Sequence, residues 1–120
     1  MKTNWETEFI DPHNLIGIAS GDKDRTLKYL LQFQELIPSR INKLKESLKN
    51  KDRKMTRQIL HQMSPQIQFF GIPDVVQPIK KLELEYETMP FNDLNELVDN
   101  IIVKLNLAIK DVQSIMENNF

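Results

Sequence analysis

The sequence predicts an all-α fold, an antiparallel four-helix bundle with a short N-terminal cap helix. Three observations lead there. Apolar residues recur at three- and four-residue spacing through four long segments. No segment alternates apolar and polar residues in the two-residue period of a half-buried strand. The chain holds only 3 glycines, too few for a loop-rich all-β fold. Its 120 residues suit one domain, spanning 1–120 with a core from about 10 to 117.

Each element has its own signals. Asp11-Pro12 opens the short helix, because Asp can cap and Pro suits the first turn. That helix carries Leu15, Ile16 and Ile18 and ends at Ser20-Gly21. Asp22 caps the next segment, whose stripe is Leu27, Leu30, Leu31, Phe33, Ile37, Ile41, Leu44 and Leu48. Pro38 falls inside it and is expected to bend the helix, since the periodicity continues beyond.

Asp52 caps a third helix from about Arg53 to Phe70, with Gly71 as its terminator. Pro73-Asp74 opens a fourth, with Val75, Val76, Ile79, Leu82 and Tyr86 inward. Thr88-Met89-Pro90 breaks it. Asn92 or Asp93 is expected to cap the fifth, whose stripe runs from Leu94 through Leu97, Val98, Ile101, Ile102, Leu105, Ile109 and Val112 to Met116. Trp5 and Phe9 are expected to pack on one end as anchoring aromatics.

Composition narrows the function. A formal net charge of −1 argues against nucleic acid as a main ligand, which needs a basic excess. The basic run from Lys49 to Lys54 reads as a solvated turn. With no cysteine there is neither a disulfide framework nor a thiolate metal ligand. No apolar run reaches a membrane span, and Lys104 and Asn106 interrupt the best candidate, 101–109. Residues 1–6 lack the apolar core of a signal peptide. The expectation is a soluble, cytoplasmic protein with no membrane partner and no cofactor.

The chain has two histidines, His13 and His61. On a helical wheel Met55, Ile59, Met63, Ile67 and Phe70 fall in one sector of about 120°, taken as the core face. His61 lies roughly 160° from its centre. Lys54, Arg57, Gln58, Ser64, Pro65 and Gln68 flank it, with no acidic side chain on that face. Most exposed histidines on helices have no chemical role. A metal site lacks convergent ligands, and a Ser-His-Asp hydrolase lacks an orienting acid and a pocket.

The pattern resembles the histidine phosphotransfer domains of phosphorelays, from about Ile10 to Met116. Those domains carry one phosphorylatable histidine on an exposed helix face, usually in a His-x-x-Lys-Gly motif. His61 matches the phosphoacceptor, Gly71 the later glycine, and Ile72 continues the match. Asp11-Pro12, Ser20-Gly21-Asp22 before Leu30, Leu31 and Phe33, and the pair Leu82-Glu83 also resemble family positions. Ser64 and Pro65 stand where the family usually has Lys and Gly. Arg57 and Lys54, one and two turns before His61, are the expected substitutes for the missing charge. Pro65 also lacks the N–H that would bond the carbonyl of His61.

The resemblance implies a phosphoryl carrier rather than a turnover enzyme. Its partners would be receiver domains of response regulators or hybrid kinases, which bring the Mg²⁺. Exposed apolar atoms of Leu15 or Ile18 are expected to widen the docking surface. The alternatives are a degenerate bundle that binds a receiver without transfer, and an unrelated helical scaffold.

Overall fold

A computed structural model describes residues 7–19 and 22–120, with the side chains of Ile18 and Ala19 outside the description. Within it the protein is all-helical. The helices are α1 (His13–Ala19), α2 (Lys23–Lys49), α3 (Arg53–Phe70), α4 (Pro73–Glu85) and α5 (Phe91–Asn119). They pack into a body of 51 × 22 × 18 Å. Helix α2 packs on α3 and α5, α4 packs on α3 and α5, and α1 lies on α2 and α3.

Local chemistry places most helix ends. The Asp22 carboxylate accepts from the N–H of Arg25 at 2.9 Å. That of Asp52 accepts from Met55 at 3.0 Å. Each satisfies one of the donors left free at a helix start. Pro73 begins α4, where a missing N–H costs nothing. Helix α2 continues through Pro38, as its periodicity requires. Helix α4 also contains Pro78, which the sequence reading passed over.

Gly71 ends α3 with φ 64°, the left-handed region that favours glycine. A second constraint falls on the same residue. The N–H of Asp11 donates to its carbonyl at 2.6 Å. A Cβ there would stand 2.7 Å from the carbonyl oxygen of Asp11.

Four expectations need correction. Helix α5 is not capped by Asn92 or Asp93. Its cap is Pro90, whose carbonyl accepts from Asp93 at 3.0 Å and Leu94 at 3.1 Å, without a side-chain bond. Met55 is not in the core, being 44% exposed. The buried arc of α3 is Thr56, Ile59, Leu60, Met63, Ile67 and Phe70, turned away from Met55 and toward Leu60. Met55 instead lines a shallow groove with Lys43, Asn50 and Asp52 at the α2–α3 turn. Leu31 breaks from its stripe and is 51% exposed. Leu15 does not face a partner. It is fully buried, whereas Ile16 of α1 is exposed. Leu15 points into the core because α1 lies across α2 and α3.

Trp5 and Ser20-Gly21 lie outside the described residues, as does the side chain of Ile18. Phe9 is half-buried.

Many of the other expected stripe residues are buried, while Leu27, Val76, Leu97, Ile109 and Met116 are only half-buried and Leu60, Met89, Ala108 and Ile115 join the core unforeseen. Leu30, Phe33, Ile37 and Leu44 of α2 meet Leu60 and Met63 of α3, Val75 and Leu82 of α4, and Leu94, Val98 and Ile101 of α5. Burial of such side chains stabilises a fold by about 1.5–3 kcal/mol each. One polar pair enters this interior. Ser47 Oγ and Thr56 Oγ1 lie 2.7 Å apart across α2 and α3. The two hydroxyls also reach the carbonyls of Leu44 and Asp52 on their own helices. Their polar atoms are therefore satisfied in the dry interior.

Candidate functional site

His61 stands midway along α3, between two residues of opposite character. Leu60 is fully buried, while the His61 side chain is 64% exposed. The imidazole is thus fixed at its base by a packed helix and open at its tip. That contrast follows from the helical period, because one residue of rotation carries a side chain about 100° around the axis.

The ring is not alone. Its Nδ1 lies 3.2 Å from Oε1 of Glu83 on α4. A carboxylate only accepts hydrogen bonds, so this contact selects the tautomer with the proton on Nδ1. In the neutral ring this leaves the lone pair on Nε2. The expectation of no acid at this face is overturned by Glu83. The acid arrives from the neighbouring helix.

A second contact runs beside the first. The Arg57 guanidinium lies over the Tyr86 ring, with its carbon 5.9 Å from the centroid. Residues 57 and 61 are one turn apart on α3, and Tyr86, the C-cap of α4, follows Glu83 by about one turn, so the two contacts form adjacent rungs. The Tyr86 phenol is pushed above its ordinary range, first by its hydrogen bond with the Glu87 carboxylate and then by burial and the Glu87 charge, while Arg57 opposes the shift. The ring under Arg57 is therefore a neutral phenol.

The other expected site residues lie along the same side of α3 with less definition. Lys54, Gln58, Pro65 and Gln68 are exposed, and Ser64 is half-buried. Arg57 is half-buried too, so it is not the free surface cation that the wheel suggested. Pro65 sits within α3 and also lines a cavity of about 170 Å³ with Tyr29, Gln32, Phe33, Gln66 and Phe69. This depression between α2 and α3 is mostly apolar. It adjoins the His61 face one turn farther along. A larger cavity, about 500 Å³, lies between α4 and the start of α5 beside Met89 and Leu97, and neither histidine lines it. His13 is exposed at the start of α1, where its N–H donates to the Asp11 carboxylate at 3.1 Å.

The sequence reading missed the contacts of Glu83 and Tyr86. Glu83 entered it only through a resemblance, and Tyr86 only as an inward residue of α4. The usable signal was the pair of one-turn spacings, but it has meaning only once α3 and α4 are neighbours. A third missed residue is Asp111 of α5. Its Oδ2 accepts from the N–H groups of Phe9 at 2.7 Å and Ile10 at 3.1 Å, and also from Glu8. It anchors the segment that leads to Asp11 and Gly71.

Among the described residues no helix is long and apolar enough to cross a membrane. Comparison with protein-family models, curated proteins and solved structures finds no match to this chain.

Proposed function

We propose that this protein is a cytoplasmic phosphoryl carrier, an antiparallel four-helix bundle capped by α1 that relays a phosphoryl group between receiver domains through His61. The observation that carries the reading is the imidazole itself. It is held on a packed helix, its Nδ1 lies against Glu83, and its side chain is 64% exposed.

The chemistry balances without a group beyond the two partners. Nε2 attacks the phosphorus of an aspartyl phosphate on a docked receiver. The P–O bond to the aspartyl carboxyl breaks as the N–P bond forms, and the receiver regains its carboxylate. His61 keeps the proton on Nδ1, so its ring becomes cationic. Glu83 faces that proton and offsets the charge as it appears. The rest of the task is alignment, which the helix and the Glu83 contact supply in advance. Lys54, Gln58, Ser64, Pro65 and Gln68 surround the ring and meet the receiver, which brings its own Mg²⁺. The reverse reaction passes the group on.

A second reading keeps the fold and drops the transfer. It is favoured by Ser64 and Pro65, which place no cation after His61, and by Arg57, whose guanidinium rests on Tyr86. In that reading the same face binds a receiver and the imidazole stays unused.

Phosphorylated receiver domains separate the two. Transfer predicts acid-labile, base-stable phosphate on this protein, absent in His61→Gln. Label that survives the substitution, or no label from any receiver, sinks the phosphotransfer reading. Ser64→Lys should speed transfer if the missing charge limits it. No response would place the needed charge on the receiver.

A further inference from the structure

Arg57 carries an unexplained feature. Its Nε is shielded from solvent and has no hydrogen-bond partner. Buried donors of this kind are normally satisfied, and a charged one left open is costly. The contact with Tyr86 places the guanidinium carbon 5.9 Å from the ring centroid and gives Nε no acceptor.

The helix geometry shows what those donors can reach. Side chains on a helix lean toward its N-terminus, so the His61 ring covers the turn that carries Arg57. A phosphoryl group on Nε2 would bring three acceptor oxygens and a double negative charge to that turn. Charge-assisted hydrogen bonds to such oxygens are stronger than a half-exposed cation–π contact. Lys54 is a turn farther away and exposed, so it competes poorly.

We propose that Arg57 is a two-position cation, resting on the Tyr86 ring while His61 is bare and moving onto the phosphoryl oxygens as the group transfers to His61. This rests on the phosphotransfer reading and deepens it. It names the residue that supplies the charge Ser64 lacks. It also makes Tyr86 the holder that keeps this charge in place until transfer begins. Glu83 stays on Nδ1 throughout, so the two rungs act separately.

Phosphoramidate tests the idea without a receiver. Its N–P bond breaks, ammonia leaves, and the phosphoryl passes to Nε2 while Nδ1 keeps its proton. In the native protein the Arg57 Nε–H signal in a ¹⁵N–¹H spectrum should move when the phosphohistidine forms. Arg57→Gln should label roughly tenfold more slowly, Arg57→Lys should recover part of the rate, and Tyr86→Leu should label at least as fast as native. In the Arg57→Gln background, Tyr86→Leu should add nothing. An unmoved Arg57 signal on labelled protein, a native rate in Arg57→Gln, or a loss confined to Lys54→Gln overturns this inference and leaves phosphotransfer standing. No label from either phosphoramidate or phosphorylated receivers overturns both.

Discussion

The C-terminal end of α3 and its middle are held in different ways. At the end, Gly71 adopts φ 64° and its carbonyl accepts from Asp11 at 2.6 Å. Asp111 grips the amides just before Asp11, and Ile10 and Ile72 are buried beside them. In the middle, His61 has one side-chain partner, Glu83, in a pair whose members are 64% and 31% exposed. The end is overdetermined by backbone contacts, and the middle is left open at a single imidazole. Substitutions should therefore divide into those that cost the fold and those that cost only the proposed chemistry. Neighbouring positions can fall on opposite sides of that divide.

Leu60→Ala is the largest break on the structural side. The residue is fully buried next to His61, and truncation leaves a cavity among the helices. A loss of about 2–5 kcal/mol is expected in chemical denaturation. A loss below about 1 kcal/mol would mean that α3 is free to rotate. The sharp difference between positions 60 and 61 would then disappear.

Gly71→Ala comes next. A Cβ would stand 2.7 Å from the Asp11 carbonyl oxygen, in a conformation that L side chains rarely adopt. The expected loss is about 1–3 kcal/mol. Protein that remains folded at low temperature should still accept label at His61. Lost labelling in folded protein would show that the two regions are coupled, and would remove the comparison.

Much of the fold was legible because its signals are local. Asp52 to Met55 spans three residues, and the Gly71 terminator follows directly on the last apolar residue of α3. The bounds of α3 could be read for that reason. The openness of His61 was legible as well, since the wheel needs only the helical period. The partners were not. Glu83 lies 22 residues from His61, and Asp111 lies 102 from Phe9. Neither distance has a periodicity to reveal it. Met55 was misplaced for a related reason. A wheel shows which residues share a side but not which neighbours cover that side, and α3 is covered toward Leu60.

Asp111→Ala tests the grip on the N-terminal segment. The substitution strips the acceptor from the N–H groups of Phe9 and Ile10, which are partly buried. Water can replace part of what is lost, so a decrease of about 1–2 kcal/mol is expected. Amide hydrogen exchange at Ile10 and Asp11 should rise more than exchange in the middle of α3. Uniform acceleration across both regions would show that the segment holds the whole fold rather than one end of it.

His61→Gln should have the smallest effect on stability and decides what the middle of α3 is for. A half-open pair such as His61–Glu83 contributes little, because solvent screens it and ordering two side chains opposes it. Gln keeps a polar side chain on a solvated face and suits a helix at least as well as His. The change in unfolding free energy should stay within about 0.5 kcal/mol. Glu83→Gln should be equally mild, yet it should slow any transfer to His61, since it removes the charge facing Nδ1. A loss above about 1 kcal/mol in His61→Gln would make the imidazole a structural tie between α3 and α4. Its exposure would then be incidental, and the open middle of the helix would be a second clasp like the one at its end.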